Sequence, residues 1–248
     1  MGFRKSFNRW KNRRINEKAH DELIFLKSLA TLKSDNLDKV LENFSHSKSQ
    51  FFQDLFVLSM LDFKKKGYFV EFGAQNGIDH SNSYLLEKKF GWKGILAEPS
   101  KGSQKKLIEN RDSHIDFDCV WHTSNEKVIF WELKLGGLSG ISTSIINRDL
   151  ERKRLKGRKE YTVKTVSLND LLERYKAPYN IDYLSIDTEG TELEILRTFD
   201  FNKYSFSVIT VEHNFSSDRD RQNDLLSKNG YRRILENVSY VDDWYLRY

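Results

Sequence analysis

One stretch limits this chain more than any other: Tyr68-Phe69-Val70-Glu71-Phe72-Gly73-Ala74-Gln75-Asn76-Gly77. It reads as a buried strand running into a glycine-punctuated turn, and a helical pattern follows over about 80–90. A strand, a glycine turn and a helix start together make a nucleotide-type pocket. Glycine lets the backbone approach a ligand, and the first turn of a helix presents unpaired N–H groups. A dinucleotide fingerprint needs G-x-G-x-x-G, whose second glycine admits a pyrophosphate. Here the spacing is Gly73-x-x-x-Gly77, and an acid, Glu71, stands inside the end of the strand. A cationic ligand without a pyrophosphate suits this turn better. S-adenosylmethionine (SAM), with a sulfonium, an ammonium group and no phosphate, meets both conditions. Taken alone, the same residues also describe an ordinary strand–turn–helix junction.

A second spacing strengthens the pocket. Gly94 to Glu98 reads as the next strand, closed by Pro99, and Glu98 follows Gly77 by 21 residues. An acid at that distance, at the carboxyl end of a second strand, is placed to hold ribose hydroxyls.

The rest of the chain alternates. Helical patterns cover 18–33 and 36–44, then a polar break at 45–49 and an apolar helix over Gln50–Phe63, on which Gln50 and Asp54 share a face. Strands are expected at Ile115–Trp121, Lys127–Leu133, Tyr161–Val166, Ile181–Asp187 and Ser207–Glu212. Ser167 stands as an N-cap with Asp170 completing a capping box, and Tyr231–Tyr240 and Trp244–Tyr248 read as a closing antiparallel pair at a sheet edge. The glycine-rich run 136–142 is either a lid or a connector, and the basic run 148–159 either a solvated helix face or a grip for an anionic acceptor. Strands alternating with helices require a largely parallel sheet covered on both faces: an α/β, Rossmann-like fold preceded by N-terminal helices. The division expected is a basic arm and helical extension at 1–48, then one domain at 49–248.

Composition excludes several classes. Cys119 is the sole cysteine of the 248 residues, so an intrachain disulfide and a Cys/His zinc cluster are ruled out, and a reducing compartment is expected. No apolar run reaches transmembrane length and no signal-peptide core follows the N-terminus, so a cytoplasmic location is expected. Of 41 basic and 36 acidic side chains, seven and one fall within residues 1–18. The body is therefore near neutral, and a nucleic-acid partner is not indicated. The basic arm, with Phe3, Phe7 and Trp10 at helical spacing, could lie on the inner face of a membrane, clamp an acidic partner or stay solvated.

Several motifs resemble the FkbM family of SAM-dependent methyltransferases. They are Ser49-Gln50…Asp54-Leu55-Phe56, Val70-Glu71-Phe72-Gly73-Ala74, Ser81-Asn82-Ser83-Tyr84-Leu85-Leu86-Glu87, Gly91-Trp92-Lys93-Gly94-Ile95, Glu98-Pro99 and Ile186-Asp187-x-Glu189-Gly190-x-Glu192. The resemblance runs from Ser49 to the C-terminus and leaves residues 1–45 uncovered. Family members often carry Asp where Glu71 stands, and an Asn-type or acidic loop where Gln75-Asn76 stands. The resemblance implies a seven-stranded methyltransferase sheet and O-methylation, typically of sugars in surface polysaccharides or of natural products. It also implies that Glu71 and the Gly73–Gly77 turn with Ala74 face the methionine part of SAM, and that Glu98 and Pro99 meet the ribose. Asp118, Cys119 and Val120 would border the adenine. Gln50, Asp54, Ser81 and Asn82 would close over the cofactor, and Asp187 would lie near the methyl.

Methyl transfer from a sulfonium needs alignment, which supplies ~7–11 kcal/mol of a barrier, and a base for the hydroxyl proton. His213 is the first candidate base because its ordinary pKa is near neutrality, with Asp187 and Glu212 orienting it or the acceptor. Alternatively Asp187, Glu189, Glu212 and His213 hold a divalent cation that acidifies the hydroxyl. Transfer to nitrogen, or a non-catalytic binding protein on the same scaffold, are the other readings. The partner expected is a small-molecule or glycan acceptor.

Overall fold

The computed structural model of the protein describes residues 20–133, 139–147 and 157–248. The basic arm at 1–18, most of the charge run at 148–159 and part of the glycine-rich run at 136–142 lie outside the described residues.

Eleven strands are described: β1 (Tyr68–Phe72), β2 (Lys93–Ala97), β3 (His114–Asp116), β4 (Cys119–Trp121), β5 (Lys127–Glu132), β6 (Gly140–Ile141), β7 (Lys159–Ser167), β8 (Asn180–Ile186), β9 (Ser205–Glu212), β10 (Tyr231–Ile234) and β11 (Asp242–Arg247). The main sheet has seven strands in the order β10-β11-β9-β8-β1-β2-β3. Neighbours pair in parallel except at β11, which runs antiparallel to both β9 and β10. The closing antiparallel pair is therefore present, but only β10 forms the edge. Trp244 and Tyr245 of β11 are wholly buried, so this strand needs a ladder on each side, whereas the shorter β10 tolerates one open side.

Both faces of β1 are buried. Val70 and Phe72 join the core that includes Leu168, Leu172, Ile195 and Leu196, and Phe69 joins the opposite core. That second core holds residues of α1 (20–33), α2 (Leu37–Asn43), α3 (Gln53–Met60) and α4 (Tyr84–Phe90). Helix 20–33 sends Phe25 and Leu29 into it, with Phe25 at 5.1 Å from Phe52 and edge-on to Trp244, which itself stacks on Phe56 at 4.6 Å. Each such side chain contributes about 1.5–3 kcal/mol by leaving water. The N-terminal helices thus share the core of the sheet.

Three expectations change. The strand over Ile115–Trp121 is two strands: β3 closes the main sheet, and β4 leaves it to pair with β7 in a second sheet of order β4-β7-β5-β6. The break is fastened by Asp116, whose carboxylate accepts from the Asp118 N–H (2.8 Å) and from Arg174 Nη1 (2.5 Å), while Arg174 also reaches Asp118 (3.0 Å). Secondly, α3 begins at Gln53 because Phe52 sits at φ +65, so Gln50 lies in the preceding turn and shares no helix face with Asp54. Thirdly, Ser167 does accept from the Asp170 N–H (3.1 Å), but the Asp170 carboxylate turns to the Ser124 hydroxyl, so the reciprocal half of the capping box is absent.

The loop after β1 is held by a buried cation. Arg111, whose side chain is 0 % exposed, follows α5 (Lys101–Asn110). Its Nη1 donates to the Gly77 carbonyl (3.2 Å) and the Ser81 hydroxyl (3.0 Å), and its Nη2 to the Ser83 hydroxyl (2.8 Å) and Glu87 (3.1 Å). Removing one partner from a buried ion pair leaves an uncompensated charge, at a cost of about 3–5 kcal/mol. Arg111→Ala is expected to lose that much unfolding free energy in urea titrations. Lys105→Ala, whose pair with Glu109 is solvent-exposed, should change by less than about 1 kcal/mol. Comparable midpoints for the two variants would refute the role given to Arg111.

Candidate functional site

A cleft opens where the carboxyl ends of β1, β2 and β8 meet the second sheet, at the point where the chain order reverses about β1. Its floor is Phe72, Gly73, Ala97, Glu98, Pro99 and Asp187, and its roof is Cys119, Val120, Phe130 and Ser139–Ile141. Gln75, Thr188 and Glu189 complete the walls around a space of about 520 Å³, part of it open to solvent. Gly73 is what lets the floor close. It sits at φ +73, and a Cβ there would lie 2.2 Å from the Asp187 carbonyl oxygen.

Glu98 dominates the electrostatics. It is 4 % exposed, and its two oxygens accept from the Gln75 N–H (2.7 Å) and the Ser100 N–H (2.8 Å). Burial pushes its pKa up to about 7, with the neighbouring Glu132 adding to the rise and the two N–H groups opposing it. Two carboxylate oxygens side by side in an apolar cleft are matched by a pair of adjacent hydroxyl donors. Burial also pushes the Cys119 thiol up to about 12, so it lines the roof as a neutral, unreactive group. Burial alone would raise Glu132, yet the Tyr161 hydroxyl, the Gly102 N–H and Lys159 hold it down to about 2. It thereby anchors Ser100 (3.2 Å) and the start of α5.

Of the residues expected at the cofactor, the structure brings Gly73, Glu98, Pro99, Cys119, Val120 and Asp187 to this cleft. The others stand elsewhere. The Glu71 carboxylate does not line the cleft, because it accepts from the Asn82 N–H (2.7 Å) and the Ser81 and Ser83 hydroxyls, with Arg111 at 3.7 Å. Ser81 and Asn82 are spent on that same network, Asn82 also donating to the Ser185 hydroxyl (3.0 Å). Ala74 packs into the core below the loop, and Gly77 lies against Arg111 and Leu107. Asp54 is wholly buried, its pKa raised by burial, and it accepts from Ser47 (2.6 Å) and two backbone N–H groups. Asp118 is bound to Arg174, and Gln50 is exposed.

His213 is also displaced from its expected role as base. Its side chain is 0 % exposed, its Nδ1 accepts from the Phe215 N–H (2.9 Å), and its Nε2 faces Asp243 at 3.8 Å. Burial lowers its pKa, and it does not line the cleft. The acids converge without it: Asp187, Glu189 and Glu212 each place an oxygen within 4.8 Å of the others. Glu192 sets the loop that carries Glu189, accepting from the N–H groups of Thr188 (3.0 Å) and Gly190 (2.9 Å). Three converging carboxylate oxygens can accept a proton or bind a divalent cation.

Phe130 and Ile141 were missed from the sequence, and Gln75 was expected at the cofactor only as part of the Gly73–Gly77 turn. The alternation of β5 marks Phe130 as inward-facing, but only the second sheet shows that inward means toward the cleft. Nothing local marks Gln75, whose φ of +46 aims its N–H at Glu98.

A sequence model described as the methyltransferase FkbM domain matches residues 71–238. Curated proteins yield no match. Among solved structures, a methyltransferase FkbM from Methylobacillus flagellatus KT is similar at 14 % identity and a TM-score of 0.48, over 89 % of this chain and 57 % of that one. This chain therefore spans little more than half the length of that relative. A precorrin-6y C5,15-methyltransferase from Geobacter metallireducens GS-15 is similar at 11 % identity and TM-score 0.38, over 73 % of this chain and 71 % of its own. TrmK of M. capricolum, solved with S-adenosyl-homocysteine, is similar at 13 % identity and TM-score 0.35, over 77 % of this chain and 65 % of its own.

The desolvation of Glu98 can be checked by titration. An unfolded glutamate ionises near 4.3, whereas this one holds its proton to about 7 in the fold. Between those values the native state binds the extra proton, so stability falls as pH rises through the window and is level above it. Glu98→Gln removes the group. Urea unfolding at pH 5 and pH 8 should therefore show the variant gaining on the wild type by about 3 kcal/mol at the higher pH. Parallel pH profiles would show that Glu98 is not desolvated.

Proposed function

This chain belongs to the FkbM family of SAM-dependent methyltransferases, and we propose that it transfers the methyl of SAM to a hydroxyl of a sugar, in a surface polysaccharide or glycolipid. Glu98 carries the reading. A buried carboxylate with both oxygens already fastened by backbone N–H groups, in an apolar cleft behind a glycine turn, suits the two hydroxyls of a ribose. The apolar walls of Phe72, Val120, Phe130 and Ile141 suit an adenine. When bound, SAM supplies a methyl on a sulfonium. Asp187 and Glu189, at the same cleft, border where that methyl would be presented.

The chain's own part is to hold and orient. Gly73 brings the turn against Asp187, and Glu98 and the apolar roof grip the nucleoside. The carboxylates of Asp187, Glu189 and Glu212 take the role first given to His213: they hold the acceptor hydroxyl and receive its proton. The same three oxygens form the set that would hold a divalent cation, with His213 dropping out. Glu71 supports the turn from behind and does not touch the cofactor. Among the described residues no helix is long and apolar enough to cross a membrane. Contact of residues 1–18 with the inner membrane face remains part of this proposal for a lipid-linked acceptor, together with a cytoplasmic location.

In calorimetric titrations with SAM, affinity should be level above pH 7 and fall toward tenfold per pH unit below it, since ribose hydroxyls bind the ionised Glu98. Glu98→Gln should lose the pH dependence and bind about 10–100-fold more weakly; wild-type-like binding by this variant would sink the assignment. Asp187→Asn should lower kcat about 10²–10⁴-fold with little change in SAM affinity. EDTA followed by Mg²⁺ tells direct proton acceptance from metal assistance: turnover lost and restored identifies the cation. Mass spectrometry of glycans from a strain lacking the gene should show one methylene unit missing, and unchanged glycans would remove the sugar from the proposal.

A further inference from the structure

We propose that Phe215 is the platform on which the acceptor sugar stacks, and that it selects a ring with an apolar C–H face. The inference rests on the methyl-transfer reading above and adds the side from which the acceptor enters and the group that receives it. Sheet order fixes that side. Glu98, which suits the ribose, stands just past β2 and Asp187 just past β8, with β1 between them. Beyond β8 the row continues with β9, and the parallel register Ile186↔Val211 brings Asp187 and Glu212 to neighbouring strand ends. Asp187 and Glu189 line the cleft, and Glu212 converges on them from β9. The three acids therefore mark the border between the cleft and the end of β9. Methyl transfer needs the attacking oxygen, the carbon and the sulfur aligned, so the acceptor enters opposite the nucleoside, over β9.

The segment that leaves Glu212 holds an aromatic ring in water over that strand end. A single exposed apolar side chain is ordinary on a protein surface. Phe215 differs because it is both exposed and fixed. It is 73 % exposed, yet its N–H donates to His213 Nδ1 (2.9 Å) and its ring stands edge-on to the His213 ring, with centroids 5.3 Å apart. The His213 ring is fully enclosed. The N–H groups of His213 and Asn214 both donate to the Val241 carbonyl (2.8 and 3.1 Å), which ties the segment to the residue before β11. The Ser216 N–H closes the turn on the His213 carbonyl (2.7 Å).

The backbone there is strained as well. Asn214 (φ +42) and Phe215 (φ +56) are consecutive left-handed residues, and neither is glycine. Such residues persist only where their surroundings impose them, and they concentrate at active sites and ligand clamps. This arrangement gives the buried His213 a place that the cleft does not: it anchors an aromatic face three residues past an acid of the site. A pyranose suits such a face. Its C–H groups form an apolar patch that covers the ring and takes it out of water, while the hydroxyls at its rim remain polar. One rim hydroxyl can then lie toward the acids, on the line to the methyl.

Transfer of label from tritium-labelled SAM to glycans extracted from the strain lacking the gene reads the effect, with the full chain as enzyme. Phe215→Ala is expected to raise the half-saturating glycan concentration about 10–100-fold. Its SAM affinity by calorimetry should be unchanged, because the ring lies outside the cofactor cleft. Phe215→Trp keeps an aromatic face and should stay within about threefold of the wild type. An unchanged half-saturating concentration in Phe215→Ala, weakened SAM binding by that variant, or an equal loss in Phe215→Trp would overturn the platform and leave the methyl-transfer reading standing. Glycans left unlabelled by the wild type would overturn the sugar acceptor, and this inference with it.

Discussion

A single buried guanidinium underlies the architecture of the site. Arg111 lies between two acids, Glu87 at 3.1 Å and Glu71 at 3.7 Å, and its two Nη groups also donate to the Gly77 carbonyl and the hydroxyls of Ser81 and Ser83. Buried charge is tolerated only when it is paired and hydrogen-bonded. Here the pairing draws the glycine turn, the start of α4 and the end of β1 onto the end of α5. Gly73 and Gln75 of that turn line the cleft, so the arrangement of the cleft depends on an ion network outside it.

The two strand-end glutamates show how the same residue type is put to different use. Glu71 is surrounded by donors: a backbone N–H, two hydroxyls and a guanidinium. It works as a structural counter-ion. Glu98 has only two backbone N–H groups and an apolar roof, and burial pushes it up to about 7. A carboxylate left short of partners in a cleft is the one a hydroxylated ligand can satisfy. The second sheet creates this difference, since Cys119, Val120, Phe130 and Ile141 close over Glu98. The Asp116–Arg174 contact that turns the chain from β3 into β4 is accordingly part of the site's construction.

Much of the frame was legible before any coordinates. Short apolar runs at period two, glycine and proline breaks and capping residues placed nearly every strand and helix, since those signals act within a few residues. Gly73 announced the tight turn, and the Gly77–Glu98 spacing announced an acid at the end of the second strand, which the structure places in the cleft. The ordinary pKa of histidine points to His213 as a base, whereas in the fold its ring is enclosed, its Nδ1 accepts from the Phe215 N–H and burial lowers its pKa. Gln50 was misjudged because helical spacing was carried one turn too far, across the left-handed Phe52.

What the order of residues determined by itself was periodic: which stretches form strands, where the turns tighten, and that the motifs belong to one methyltransferase family. What only the tertiary structure decided was partnership. Whether an acid serves a ligand or the fold depends on groups far along the chain, such as Arg111 for Glu71, or Asp242 for Gln53, 189 residues away. Local pattern cannot encode such pairings. The energy of a buried charge is set by everything enclosed with it, and that enclosure exists only once the sheets have closed.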